Sequence, residues 1–212
     1  MSLLSKPPPM TPPASSAEAI AVILSRRSNA ALVEPGPTPQ QLAQILRAGT
    51  TVPDHGSLRP YRFLVSQGAG RERVGAALAA TMREVRPESP AEAIEKVRAK
   101  AFAAPTQVLL IASPRIGHKI VEWEQFVSAG CTGYAIALAA HALGLGASWK
   151  NAPFDRGAAL CEQLGLLPHE RLLGWINLGQ VARPLPDIPA VDLATLVGVV
   201  GLDGISGYEQ PK

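Results

Sequence analysis

Cysteine is nearly absent from this 212-residue chain, which carries only Cys131 and Cys161. The two form no CxxC and no metal-ligand spacing. A disulfide framework and a thiolate metal site are therefore excluded, and a reducing, cytoplasmic setting is expected. Charge is also scarce: Asp, Glu, Lys and Arg make up 17% of the residues, where roughly a quarter is usual. That excludes a coiled coil and a highly charged tail. The net charge of +3 is scattered, with no Lys/Arg run longer than Arg26-Arg27. A surface that neutralises nucleic-acid phosphates needs clustered cations, so no nucleic-acid partner is expected. The start lacks the apolar core of a secretory signal; Met1–Pro13 is rich in Pro and Ser instead. One stretch, Phe126–Trp149, carries no formal charge with His141 neutral and is long enough to span a bilayer. Ala fills it, and Gly130, Gly133, Gly144 and Gly146 interrupt it. A buried helix with no membrane partner is the expectation.

Catalytic signatures are missing as well. There is no GxSxG, no HExxH and no P-loop. His55, His118, His141 and His169 stand too far apart to form a metal motif, so no metal is expected. Gly144-Leu145-Gly146 opens like a dinucleotide fingerprint. It follows a helix and precedes a strand, the reverse of the order the phosphate-binding turn requires.

What the chain does have is apolar material, 47% of it, enough for a core. Ser15-x-x-Glu18 is a capping-box pattern ahead of a helix to about Arg26. Thr38-Pro39-Gln40-Gln41 repeats the signal for a helix closed by Gly49. Strands are expected at Tyr61–Ser66, Thr106–Ser113, Ala147–Lys150 and Leu172–Leu178, the second a nearly continuous apolar run and so central. Further helices are expected from Arg71 to Val85, from a Ser89 cap to about Phe102, from Ile120 to Leu143, and from an Asp155 cap through Gln163. Trp123 and Trp175 are read as core aromatics, His141 as a satisfied core histidine and Cys131 as a small buried residue. Helices and strands mix without strict alternation, which points to an α+β sandwich with a small sheet between helical layers. Residues 1–16 form a Pro/Ser-rich arm, 17–182 a single domain, and 183–212 a Pro/Gly-rich tail of low periodicity.

Three polar features stand out. Arg26-Arg27-Ser28 ends the first helix with two guanidiniums and a hydroxyl, a set able to grip a phosphate, although arginines at a helix C-terminus also suit the macrodipole. Val52–Tyr61 (VPDHGSLRPY) is a stiff polar loop ahead of a strand, either a ligand platform or an ordinary Pro-Asp turn. Ser148-Trp149-Lys150-Asn151 places an aromatic, a cation and an amide at a strand end. Alone it reads as a core Trp beside a surface Lys.

In this order the segments RRSNAALVEPGPTPQQLAQILRAG, VPDHGSLRPYRF, WEQFVSAGC and LGLGASWKNAPF resemble the nitroreductase family of FMN-dependent oxidoreductases, and within it the short NAD(P)H nitroreductases. The resemblance covers Ala17 to Gly179. It implies a nitroreductase-like sandwich, with a mixed or antiparallel central sheet flanked by helices, in an intertwined homodimer with FMN at the subunit interface. Arg26, Arg27 and Ser28 match the flavin phosphate and ribityl contacts. Thr51 and His55 match contacts offered from the partner chain, and Trp149, Lys150 and Asn151 match the segment beside the isoalloxazine. Ala139–Gly144 matches a nicotinamide-nucleotide region. The implied activity is ping-pong transfer of a hydride from NADH or NADPH, through the flavin, to a nitroaromatic, quinone or similar conjugated acceptor, with no side chain acting as catalyst. A flavin-binding carrier or sensor without turnover, or a related flavin enzyme such as a reductive dehalogenase, are the alternatives. Two departures matter. Ala30 stands where many members have a cation able to stabilise reduced flavin, with Lys150 the substitute in view, and Thr51 stands where a basic residue is expected. Arg183 is a candidate for the C-terminal phosphate contact.

Overall fold

The structure is a computed structural model that describes residues 16–183, 185–186, 189–202 and 204–209. The first fifteen residues, with Ser15 and nearly all of the arm, lie outside it. Six helices, α1 (Ser16–Ser25), α2 (Pro39–Gly49), α3 (Gly70–Val85), α4 (Ala91–Ala99), α5 (Glu122–Ala142) and α6 (Ala158–Leu164), surround strands β1 (Leu32–Val33), β2 (Tyr61–Gln67), β3 (Thr106–Ala112), β4 (Gly146–Lys150) and β5 (Arg171–Val181). Among the described residues all strand pairings are antiparallel. β5 pairs with β3, with β4 and, at its end, with β1, while β3 also pairs with β2. A hairpin, β6 (Gly198–Gly201) and β7 (Gly204–Gly207), stands in the tail, where no strand is expected from the sequence.

β3 is buried along its whole length because its alternate residues serve two cores. Leu109 and Ile111 join Trp175 against α3, α4 and α6. Val108 and Leu110 join Ile176 and Leu178 against α2 and α5. Each such side chain contributes about 1.5–3 kcal/mol by leaving water. The result is the α+β sandwich with an antiparallel sheet between helical layers. α2 begins with a complete capping box: Gln41 N donates to Thr38 Oγ1 at 3.2 Å and Thr38 N to Gln41 Oε1 at 3.0 Å, with Pro39 in the first turn. Among the described residues no helix is long and apolar enough to cross a membrane.

Five local expectations change. Ser89 does not cap α4, whose start follows Pro90 without a side-chain cap. Asp155 does not cap α6 either. It faces Arg171 at 3.3 Å, and the first amides of α6, Ala158 and Ala159, donate to the Glu84 carboxylate of α3 at 2.8 and 3.2 Å. Trp123 is not in the core; it is 67% exposed at the start of α5, while Trp175 is fully buried. Cys131 and His141 are only partly covered, and His141 Nε2 lies 2.9 Å from Ser25 Oγ.

Candidate functional site

Four segments converge beside the end of β4. Ala30, from the α1–β1 connection, and Lys100 and Ala103, from the turn after α4, meet Trp149, Lys150 and Asn151, with Asn177 of β5 beside them. Together they line a cleft of about 330 Å³. The Arg26–Ala30 segment is held there by Asn29, whose N–H donates to Ala147 O at 2.9 Å and whose Oδ1 accepts from Ala147 N at 3.3 Å. Asn29 thereby acts as an extra rung beside β4.

Trp149 is fixed from two sides. Its indole Nε1 donates to Leu173 O at 3.1 Å, a carbonyl at the point where the β3–β5 register shifts and skips Leu173. The ring lies over Gly133 of α5, where a Cβ would come within 2.4 Å of Cζ3. Gly174 completes the bulge at φ +114°, and a Cβ there would meet Lys150 O at 2.2 Å. Glycine is needed here for both conformation and space. The indole remains 39% exposed, and Lys150 and Asn151 are exposed beside it.

Lys100 lines the cleft and is missed by the sequence. Its ammonium donates to Asn151 O at 3.0 Å. Burial, followed by the nearby charges of Lys150 and Lys96, holds its pKa below the ordinary lysine value. Nothing in the spacing of the run RAKAF marks it. Only the packing of the turn after α4 against the β4–β5 edge brings it to Lys150. The cation absent at Ala30 therefore has a counterpart in the same cleft. Asn177 is missed for the same reason.

The other expected residues are not part of this cleft's lining. The Arg26 guanidinium stands 5.9 Å over the ring of Tyr134. Arg27 donates to Leu24 O at 3.0 Å and Arg26 O at 3.2 Å, closing the C-terminus of α1, and Ser28 is exposed. Arg27 and Asn29 border a second cleft, of about 280 Å³, with His141 and Gly144 from the Ala139–Gly144 stretch. Thr51 and His55 do not line the Lys100–Lys150 cleft of their own chain. Thr51 Oγ1 donates to Ala48 O at 2.8 Å at the end of α2. His55 Nδ1 lies 2.9 Å from Glu124 Oε2 at the start of α5. Arg183 is exposed beyond β5.

Residues 23–180 match the model of the nitroreductase family. The Escherichia coli K12 protein named "Putative NAD(P)H nitroreductase YdjA" is 37% identical over 162 residues, 76% of this chain and 87% of that one. A Haemophilus influenzae protein of the same description is 32% identical over 164 residues, 76% and 88% of the two chains. Among solved structures, a nitroreductase-like protein from Bacillus cereus superposes with a TM-score of 0.72 at 21% identity, over 90% of this chain and 98% of that one. A protein from Desulfovibrio desulfuricans described as a "putative nitroreductase in complex with fmn" gives 0.64 at 25% identity over 84% and 94%. Fold, family model and close relatives agree, and the chain belongs to the nitroreductase family.

Proposed function

We propose that the protein is an FMN-dependent oxidoreductase that takes a hydride from NADH or NADPH and passes it, in ping-pong fashion, to a nitroaromatic, a quinone or a similar conjugated acceptor. The observation that carries this reading is the Trp149–Lys150–Asn151 cleft, with Lys100 completing its charge. A half-exposed indole, two ammonium groups and no lining carboxylate fit a flat, electron-accepting ring with hydrogen-bond acceptors along its edge. FMN, when bound, supplies the hydride chemistry. The chain supplies position and charge: Arg26, Arg27 and Ser28 would hold the phosphate and ribityl group, and Lys100 and Lys150 the ring edge. The reading of a flavin carrier without turnover drew on the missing cation at Ala30, and Lys100 weakens it.

The same reading makes residues 17–182 the FMN-binding domain of a homodimer, with Thr51 and His55 contributed across the interface and the 183–212 tail wrapping the partner. It is supported by apolar side chains left in water. On α5, Trp123 and Val127 are 67% and 56% exposed. On α1, Ile20, Ile23 and Leu24 are exposed, as are Val200, Leu202 and Ile205 of the tail hairpin. The test is the visible spectrum of the purified protein, followed by anaerobic reduction with each nicotinamide. A flavin band near 450 nm, bleached by NADH or NADPH and restored by a nitro compound, is expected. Protein that is colourless and remains so after FMN is added refutes the reading, and a monomeric mass in light scattering refutes the dimer.

A further inference from the structure

A row of polar side chains crosses the interior of the sheet. Gln107 of β3, Asn177 of β5 and Ser148 of β4 stand directly opposite one another, and all three are buried. Directly opposed residues share a face of the sheet, and on this face the next positions, Leu109 and Trp175, are core. A polar row in such surroundings is unfavourable unless it is bonded. Gln107 Nε2 donates to Lys100 O and to Asn177 Oδ1, both at 2.8 Å.

The first of these bonds decides the orientation of the second. A group facing a main-chain carbonyl is the NH2, so the Asn177 atom that this NH2 also meets is an acceptor oxygen. With its oxygen committed to Gln107, Asn177 keeps its own NH2 for the cleft that it lines with Lys100 and Lys150. Two further buried atoms of the row, Gln107 Oε1 and Ser148 Oγ, have no hydrogen-bond partner among the described residues. Groups of this kind are rare in folded proteins, and here they flank the residue that faces the cleft.

We propose that Asn177 is a ligand-facing donor and that Gln107 is the positioning residue that sets its amide, so that the Asn177 NH2 joins the Lys100 and Lys150 ammonium groups against the acceptor edge of the bound ring. Through its other bond Gln107 also holds the main chain at Lys100. The proposal rests on the flavin reading above and deepens it by naming how the cleft tunes what it binds. Reduction adds negative charge to a flavin, and donors hold charged acceptors more tightly than neutral ones.

In FMN-loaded protein, Asn177→Leu and Gln107→Leu are each expected to move the midpoint potential to more negative values. Affinity for reduced FMN should fall about three- to tenfold more than affinity for oxidised FMN. The double variant is expected to shift no further than either single one, because the two side chains act as a unit. Anaerobic titration reads the potential, and quenching of flavin fluorescence reads the oxidised-state affinity. A purely structural Gln107 would lower the melting temperature and leave the potential in place; that result, or additive shifts, overturns the proposal. If Gln107→Leu does not fold, Asn177→Leu and Asn177→Asp test the donor directly. The aspartate should give the larger negative shift, and unchanged potentials in both overturn the proposal. A wild-type protein that binds no FMN removes the flavin reading and the proposal together. A wild type that binds FMN, beside variants of unshifted potential, removes the proposal alone.

Discussion

Lys100 and Glu170 show how far a single charge depends on what surrounds it. Lys100 reaches the cleft from a turn and is held by one main-chain carbonyl of Asn151. Lys100→Met keeps its length and removes its charge, so FMN affinity is expected to fall about tenfold, as for the loss of one charged hydrogen bond. Fluorescence titration checks this, with the far-ultraviolet spectrum unchanged. Glu170 is a structural charge. Burial would raise its pKa, but the Arg62 guanidinium, paired with it in two bonds of 2.7 and 2.6 Å, and the Leu167 N–H outweigh that and hold it at about 2. A depressed carboxyl stabilises the fold above its unfolded value of 4.5 and loses that contribution as pH falls through about 2. Glu170→Gln is expected to cost about 2–3 kcal/mol at neutral pH, since it leaves Arg62 without its counter-charge. The gap from wild type in urea melts should narrow steadily between the two pKa values.

At the scale of elements, β4 brings Trp149 to the cleft and α5 seats its ring. Gly133 leaves the space in α5 that the Trp149 indole fills. Gly133→Ala is expected to displace that ring, lower stability by about 1–3 kcal/mol and weaken FMN binding. Thermal melts and flavin titration of the same variant check it. Elements with their own signals could be read from the chain alone. α2 has its whole capping box within four residues, and β3 has its apolar run. β1 has two residues and exists only through its pairing with β5. The Leu173 bulge that serves Trp149 belongs to two strands at once, so no single stretch encodes it. WKN, which lines the cleft, is legible in the chain as an aromatic, a cation and an amide at a strand end; Lys100 and Asn177, which line it too, are not, because their neighbours are set by which strands pair. Trp123 was misread since apolar character alone does not say which surface will cover a side chain.

For the molecule as a whole, the unburied face of α5 bears on assembly. Trp123 and Val127, one helical turn apart, project together. If the proposed dimer forms through this face, Val127→Arg is expected to shift the protein toward monomers in light scattering and, by withdrawing the Thr51 and His55 assigned to the second copy, to weaken FMN binding. The borrowed cap of α6 has a different outcome. A seven-residue helix is too short to hold itself in water, and its first amides are satisfied only by Glu84 of α3. Its order is therefore conditional on a neighbour already in place. In hydrogen exchange, the Ala158 and Ala159 amides should open together, as α6 undocks from α3, and earlier than the strands beneath them. Of the helices that close the larger core, α6 is then the last to settle and the first to loosen.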